Sequence, residues 1–423
     1  MSLSAPRHAL RASAEGVGRR HSARRHGAGF WMIASAFVTA MAFSTVPTPL
    51  YPLYQARDGF STFTVTIVFA VYAVGVLASL LLTGHVSDWV GRRKVLITAL
   101  ALELVAAALF LTEPSLPVLL LARLVTGLGV GMLTATATAH LHELHSAHRP
   151  GASSQRFEIV STAANIGGLG FGPLVAGLLA EYLDAPLRLP YLVFGALLLI
   201  SIAAVALTPE TVEKQPVRPA YRPQRVSADH GDPAGYVAAA AAGFASFAVF
   251  GLFTSLAPGF VGHTLHHPSR ALAGLTVFAV FGASAAAQTL TGRLDAKVRR
   301  NVGLFSQAAG VAALAIGMQT ASLPVFLVAG IVAGIGAGML FKSAVGTVVA
   351  MATPAKRGEA LAGLFLVSYL GLALPAIGLG IATRYTTVTT AMTWFTGVLL
   401  ALLTTAGVLA RRPSSTGNTH NTG

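Results

Sequence analysis

Few residues in this chain have the type and spacing to do chemistry. Asp88 stands four positions before Arg92, which is followed at once by Arg93 and Lys94, with Gly84 and Gly91 on either side of the acid. One carboxylate beside three cations, in a stretch that glycines allow to turn tightly, predicts charge-assisted hydrogen bonds in a fixed geometry. Glu103, Arg123 and Lys342 are charges set deep within long apolar runs. At the centre of a bilayer each would cost about 3 kcal/mol or more, so a functional role is the default expectation. Histidines cluster at His140, His142, His145 and His148, and again at His263, His266 and His267. Imidazoles so spaced could ligate iron or zinc. The chain has no cysteine, which excludes a disulfide framework, a thiolate metal site and a cysteine nucleophile.

The elements that must hold these residues are apolar. The 423 residues are 54% hydrophobic and 10% charged, where a soluble domain carries about 25% charged residues. The apolar residues come in runs of roughly twenty, the length that crosses ~30 Å of hydrocarbon as a helix. Twelve such segments are predicted, at about 29–50, 62–83, 95–112, 116–139, 158–181, 188–208, 235–258, 271–291, 302–320, 323–348, 360–383 and 387–410. The expected fold class is therefore an all-α membrane protein with twelve transmembrane helices. An even number of spans puts both termini on one side. Of the 29 lysines and arginines, 23 fall in the tails and loops of that side, four on the other, and two within spans. This asymmetry predicts that the termini and the Asp88 hinge are cytoplasmic, and the net charge of +14 then needs no nucleic acid.

Domain organisation follows from composition. Residues 1–28, with six arginines and one acid, are expected to be a disordered basic tail. A first six-helix bundle over 29–208 and a second over 235–410 are joined by a linker at 209–234 containing five prolines, and 411–423 form a second tail. The halves repeat. Gly127-Leu-Gly129-Val-Gly131-Met132-Leu133 matches Gly334-Ile-Gly336-Ala-Gly338-Met339-Leu340 at an offset of 207, and the same offset carries Asp88 onto Asp295. A tandem duplication giving two pseudo-symmetric bundles is expected. The second copy is degraded, because Val298 replaces Gly91. Gly127, Gly129 and Gly131 follow no strand, so they are no dinucleotide loop; Gly127 and Gly131 read as a face for close helix contact. Gly168, Gly172, Pro173 and Gly177 combine small size with a bend. The histidine clusters are expected on opposite faces of the bilayer, so no shared metal site and no cofactor are predicted.

At this point the chain resembles a family. Gly84-His-Val-Ser-Asp88-Trp-Val-Gly91-Arg92-Arg93-Lys94 resembles the signature loop between the second and third helices of the major facilitator superfamily. Leu121-Ala-Arg123-Leu-Val-Thr-Gly127-Leu-Gly129 is similar to its fourth-helix motif. Gly168-Leu-Gly-Phe-Gly172-Pro173-Leu-Val-Ala-Gly177 is similar to the fifth-helix motif of its twelve-helix drug:proton antiporters, with Ala176 where a closing glycine usually stands. The resemblance covers about 29–410 and implies the major facilitator fold, alternating access and proton-coupled efflux of a small organic compound. Uptake of a sugar, organic anion or other metabolite is the alternative. It also implies that segments one, four, seven and ten line a central cavity, where Arg123 and Lys342 would favour an anionic or zwitterionic substrate. Trp31, Tyr51, Tyr54, Phe247, Phe250 and Phe253 are candidates for an apolar pocket wall.

Physical reasoning assigns roles within that frame. Gly84, Asp88, Gly91, Arg92 and Arg93 are expected to latch the two halves on the cytoplasmic side, with Asp295 in a weaker second latch. Folding segments three and four about residue 114 brings Glu103 near the level of Arg123, so a buried ion pair is expected, which protonation of Glu103 would break. The expected partners are a small-molecule substrate, protons and the lipid bilayer, with the chain a monomer in the plasma (cell inner) membrane. No Gly-x-x-x-x-Gly-Lys loop is present, so a gradient or exchange must supply the energy, and no enzymatic activity is expected.

Overall fold

A computed structural model describes residues 5–112, 115–213, 221–226, 232–353 and 356–411, with side chains from residue 24 onward. Among the described residues there is no strand, and twelve helices are long and apolar enough to cross a membrane. They are α1 (Ala5–Thr45), α2 (Thr62–Thr83), α3 (Arg92–Leu111), α4 (Leu116–His148), α5 (Gln155–Tyr182), α6 (Leu189–Leu207), α7 (Pro233–Ser255), α8 (Arg270–Leu290), α9 (Ala296–Gln319), α10 (Leu323–Met351), α11 (Arg357–Ala382) and α12 (Val388–Leu409). Helices are the natural solution, since every backbone polar group is then paired within its own segment. The starts are marked by local chemistry. Ser61, Asp232, Ser269 and Thr387 accept hydrogen bonds from the first-turn amides of α2, α7, α8 and α12. Proline occupies the first turn of α4, α6, α7 and α10, where no backbone donor is lost.

Two boundaries differ from the sequence expectation. Helix α1 starts at Ala5, where a disordered tail over 1–28 was expected; alanine and arginine are good helix formers, and the charged turns continue the span beyond the apolar limit. Helix α4 runs to His148 rather than ending near 139, so its four histidines are helical and not part of a loop. A hydropathy limit marks where a helix leaves hydrocarbon, not where its hydrogen bonding stops. Helix α5 carries a π-turn over Ala163–Gly167 and an internal Pro173, the two features at which helices commonly kink.

The first six helices pack among themselves, as do the last six, and two seams join the sets: α5 against α8, and α2 against α11. Both seams are tight at the ends remote from the Gly84–Lys94 hinge. Gly177 lies against the Arg270 carbonyl and Gly274, Gly274 against the Pro173 carbonyl, and Gly380 against Thr66; a side chain at any of these would collide with its neighbour. Arg270 ties the first seam further. Its amide donates to Glu181 at 2.8 Å, and its guanidinium reaches the Ala180 carbonyl at 3.2 Å and Glu181 at 3.8 Å. Arg384 lies over the Phe63 ring at the second seam, 5.4 Å from its centroid. The molecule is thus closed on this far face and parts toward the hinge face.

Candidate functional site

Where the bundles part lies a cavity of about 690 Å³, within the range of small-molecule sites. Its lining comes from α2, α4, α5, α8, α10 and α11, and from the halves of these helices nearer the hinge. Phe341, Phe365 and Tyr369 form an aromatic wall on the second bundle. Phe247 stands behind it, 5.0 Å from Phe341 and 5.3 Å from Tyr369 between ring centroids, and Phe250 stacks on Phe281 at 4.7 Å. The first bundle contributes Thr134, Thr138, His142 and Asn165, together with the carboxylates of Glu143 and Glu158. The two threonine hydroxyls donate to the carbonyls of Val130 and Thr134, leaving their oxygens as acceptors. Lys342 is the cation of this wall, and its ammonium donates to the Gln288 carbonyl at 2.7 Å. A large apolar face with a few polar groups suits an amphiphilic organic molecule.

Arg123 does not reach this cavity. It is 2% exposed, donates from Nη1 to the Ser44 carbonyl at 2.7 Å, and lies over the Tyr72 ring at 4.5 Å. Lys342 alone of the two expected cations faces the cavity. Helices α1 and α7 supply no lining residue either, Phe247 being screened by the aromatic wall. Of the other aromatic candidates, Phe253 packs on Phe326, Tyr54 donates to the Tyr191 hydroxyl at 3.0 Å, Tyr51 is buried, and Trp31 sits at the hinge face.

Nor do Glu103 and Arg123 form the expected ion pair. Glu103 is fully buried, and neither carboxyl oxygen has a hydrogen-bond partner among the described residues. Its Cγ packs over Gly129, which lies six residues, ~9 Å, along α4 from Arg123. Gly129 has no side chain, so α3 and α4 approach with Glu103 in that notch, and the contact sets a register that folding about residue 114 did not anticipate. The remaining small residues mark crossings. Gly127 faces the Tyr72 carbonyl and Gly75, Gly131 faces Val76 and Ser79, Gly168 faces Met41, and Gly172 faces the Ala42 carbonyl.

The hinge is a network inside the first bundle. Gly91 has φ +110°, a conformation side chains rarely adopt, and its free face lies against the Glu210 carboxylate. Glu210 accepts from the amides of Arg92 at 3.0 Å and Arg93 at 3.1 Å, so it caps the positive start of α3. The Arg92 guanidinium donates to Asp88 at 2.5 Å, Ser87 at 2.6 Å and Glu143 at 2.8 and 3.2 Å. Thr211 donates to Glu143, Arg93 donates to the Ala206 carbonyl, and His140 Nε2 pairs with the Pro209 carbonyl at 3.0 Å. Arg92 thereby ties the hinge to the ends of α4 and α6. Gly84 ends α2 with an ordinary helical φ of −54°, so of the two hinge glycines only Gly91 uses its conformational freedom. Asp88 pairs with Arg92 and not with Arg93.

The second copy has kept the acid and the two arginines, as Asp295, Arg299 and Arg300, and changed their work. Asp295 caps α9, accepting from the amides of Lys297 at 2.8 Å and Val298 at 3.4 Å. Arg299, the counterpart of Arg92, donates to Ser343 at 3.1 Å and the Thr291 carbonyl at 3.4 Å. Glu143, Glu210 and the aromatic wall were missed in the sequence reading. The signal for the two acids was their place at the ends of the helices flanking a basic hinge. The histidines assemble nothing: His140 and His145 are buried on α4, His263, His266 and His267 are exposed at the far face, and no three metal-capable side chains converge among the described residues.

The twelve helices thus form two related halves, closed on one face around a cavity that parts toward the other. The sequence model of the Major Facilitator Superfamily matches residues 32–268 and 238–423, and the chain belongs to that family. It is 26% identical over 151 residues to an uncharacterised MFS-type transporter of Mycobacterium tuberculosis, spanning 36% of this chain and 25% of that protein. Over 77 residues it is 34% identical to monosaccharide-sensing protein 2 of Arabidopsis thaliana, 18% of this chain and 11% of that one. The chain thus matches a quarter or less of the length of these curated relatives. In structure it is similar to the human organic anion transporter MFSD10 (TETRAN), with a TM-score of 0.67 over 90% of this chain and 99% of that one, at 16% identity. At that identity the likeness speaks for the fold.

Proposed function

We propose that this transporter exports a small organic compound in exchange for protons across the plasma membrane, with the hinge face and both termini in the cytoplasm. The observation that carries the reading is the cavity, aromatic on one side and hydroxyl-bearing on the other, which parts toward the face holding most of the cations. A compound with an apolar body would enter there, settle against Phe341, Phe365 and Tyr369, and leave when the far-face seams at Gly177–Gly274 and Thr66–Gly380 open and the hinge face shuts. Lys342 would attract an anionic group on the substrate, and the carboxylates of Glu143 and Glu158 in the same lining a cationic one. Export, rather than uptake, is supported by the resemblance of Gly168–Gly177 to the antiporter motif. In this structure Gly170 and Gly177 of that stretch lie against Phe281 and Gly274 of α8, at the seam between the bundles.

Glu103 supplies the proton site in this reading. An isolated ionised carboxyl in hydrocarbon is costly, so ionisation would draw it along α4 toward Arg123, and protonation would release it to the Gly129 notch seen here. The Asp88–Arg92–Glu143 network holds the first bundle rigid while it rocks. The test is transport in proteoliposomes against a panel of amphiphilic cations, anions and neutral compounds with an imposed pH gradient. Export of at least one compound should be driven by an inward proton gradient and collapse when an ionophore dissipates it. Transport indifferent to the gradient would sink proton coupling.

A further inference from the structure

A second concavity lies at the hinge-face end of the first bundle, and its lining shares no residue with the transport cavity. It measures about 250 Å³ and is enclosed by α1, α4 and α5. Arg24 and Trp31 come from α1, His145 and His148 from the last turn of α4, and Arg156 from the start of α5. No carboxylate lines it, and none pairs with Arg24 or Arg156 among the described residues. That sets these two apart from Arg92 and Arg270, whose carboxylates are in place.

Three further observations give the concavity a ligand chemistry. Arg156 lies over the Trp31 ring, 5.4 Å from its centroid, a cation–π contact that holds the guanidinium beside the concavity. Trp31 is 51% exposed and stands two residues inside the apolar limit of α1, the depth at which tryptophans mark the boundary between hydrocarbon and headgroups. Gly27 brings α1 so close to α4 that a side chain there would strike the His148 ring. A positive recess at headgroup depth, roofed by an interfacial aromatic and large enough for one phosphate with part of its ester, is the form of an anionic headgroup site. We infer that Arg24 and Arg156 bind the phosphate of an anionic phospholipid, holding the start of α1 against α4 and α5. The same chemistry would accept free inorganic phosphate. The site depends on membrane insertion and not on the exporter reading, so either can fail without the other.

The full-length protein is purified and titrated separately with phosphatidylglycerol, phosphatidylcholine and inorganic phosphate. Bound lipid is read by native mass spectrometry and the thermal unfolding midpoint is followed in parallel. Phosphatidylglycerol should be retained in preference to phosphatidylcholine and should raise the midpoint. Arg24→Gln and Arg156→Gln, made singly, should each weaken its retention at least about tenfold, with Arg384→Gln on the far face as a control that leaves lipid retention unchanged. Arg156→Lys, which keeps the charge but not the guanidinium fork, should recover part of the loss. A midpoint raised equally by inorganic phosphate supports the phosphate site and assigns it to the soluble anion. Equal retention of both lipids, or unchanged retention in Arg24→Gln and Arg156→Gln alike, overturns the inference.

Discussion

Glu103 and Gly91 carry the sharpest consequences at the scale of single residues. A buried carboxyl with no donor beside it is a poor structural device, because its presence costs stability that an ion pair or cap would offset. Glu103→Gln keeps the shape and removes the titration. The variant is expected to fold at least as stably as the parent and to lose its response to an imposed pH gradient, measured as accumulation in proteoliposomes with and without the gradient. Gly91 is constrained twice, by its φ of +110° and by the Glu210 carboxylate against its free face. Gly91→Ala is therefore expected to cost about 1–3 kcal/mol, seen as a lower thermal unfolding midpoint in detergent. Gly84 has an ordinary helical φ, but a side chain there would press on the Leu80 carbonyl, so Gly84→Ala is expected to cost stability through that contact and not through its backbone conformation.

Among elements, the hinge matters through what Arg92 joins. Two carboxylates grip its guanidinium, but unequally: the Asp88 side chain is 60% exposed and the Glu143 side chain 30%. The more exposed acid exchanges its ion pair for water at little cost, whereas loss of the more buried one leaves Arg92 with the exposed Asp88 as its one carboxylate partner. Glu143→Gln is therefore expected to lower turnover more than Asp88→Asn, and only Asp88→Asn, outside the cavity lining, should leave substrate affinity within a few-fold, measured as initial transport rates over a range of substrate concentrations. A larger effect of Asp88→Asn would point to a contact of Asp88 with the second bundle in another conformation. Asp295 needs no such test as a latch, because here it caps α9.

For the whole molecule, the closed far face is the part of the cycle that can be trapped. Thr66 and Gly380 meet across the α2–α11 seam, and the chain has no cysteine of its own. Because a side chain at Gly380 would strike Thr66, the cross-link is placed beside that contact: Phe63→Cys combined with Arg384→Cys should be joined by a short reducible dimaleimide, stop transport and recover it on reduction, while each single variant stays active under the reagent. Transport that continues through the cross-linked protein would mean that the seam need not open. The double variant also separates binding from turnover, since a substrate should still enter the cavity from the hinge face.

The chain by itself determined the twelve spans, their apolar character, the duplication at an offset of 207 and the concentration of positive charge in alternate loops. Those properties depend on local composition and on the need to pair every backbone group within a segment, so they are written residue by residue. Only the tertiary structure decided which charges meet. The register of α3 on α4 is set by Glu103 entering the space above Gly129, which took it away from Arg123. Arg92 found Glu143, 51 positions away, and its amide found Glu210, 118 positions away. The cavity wall gathers six helices whose inward faces no hydropathy profile distinguishes from their lipid-facing ones, because an aromatic ring is equally at home against a substrate, another ring or a lipid tail.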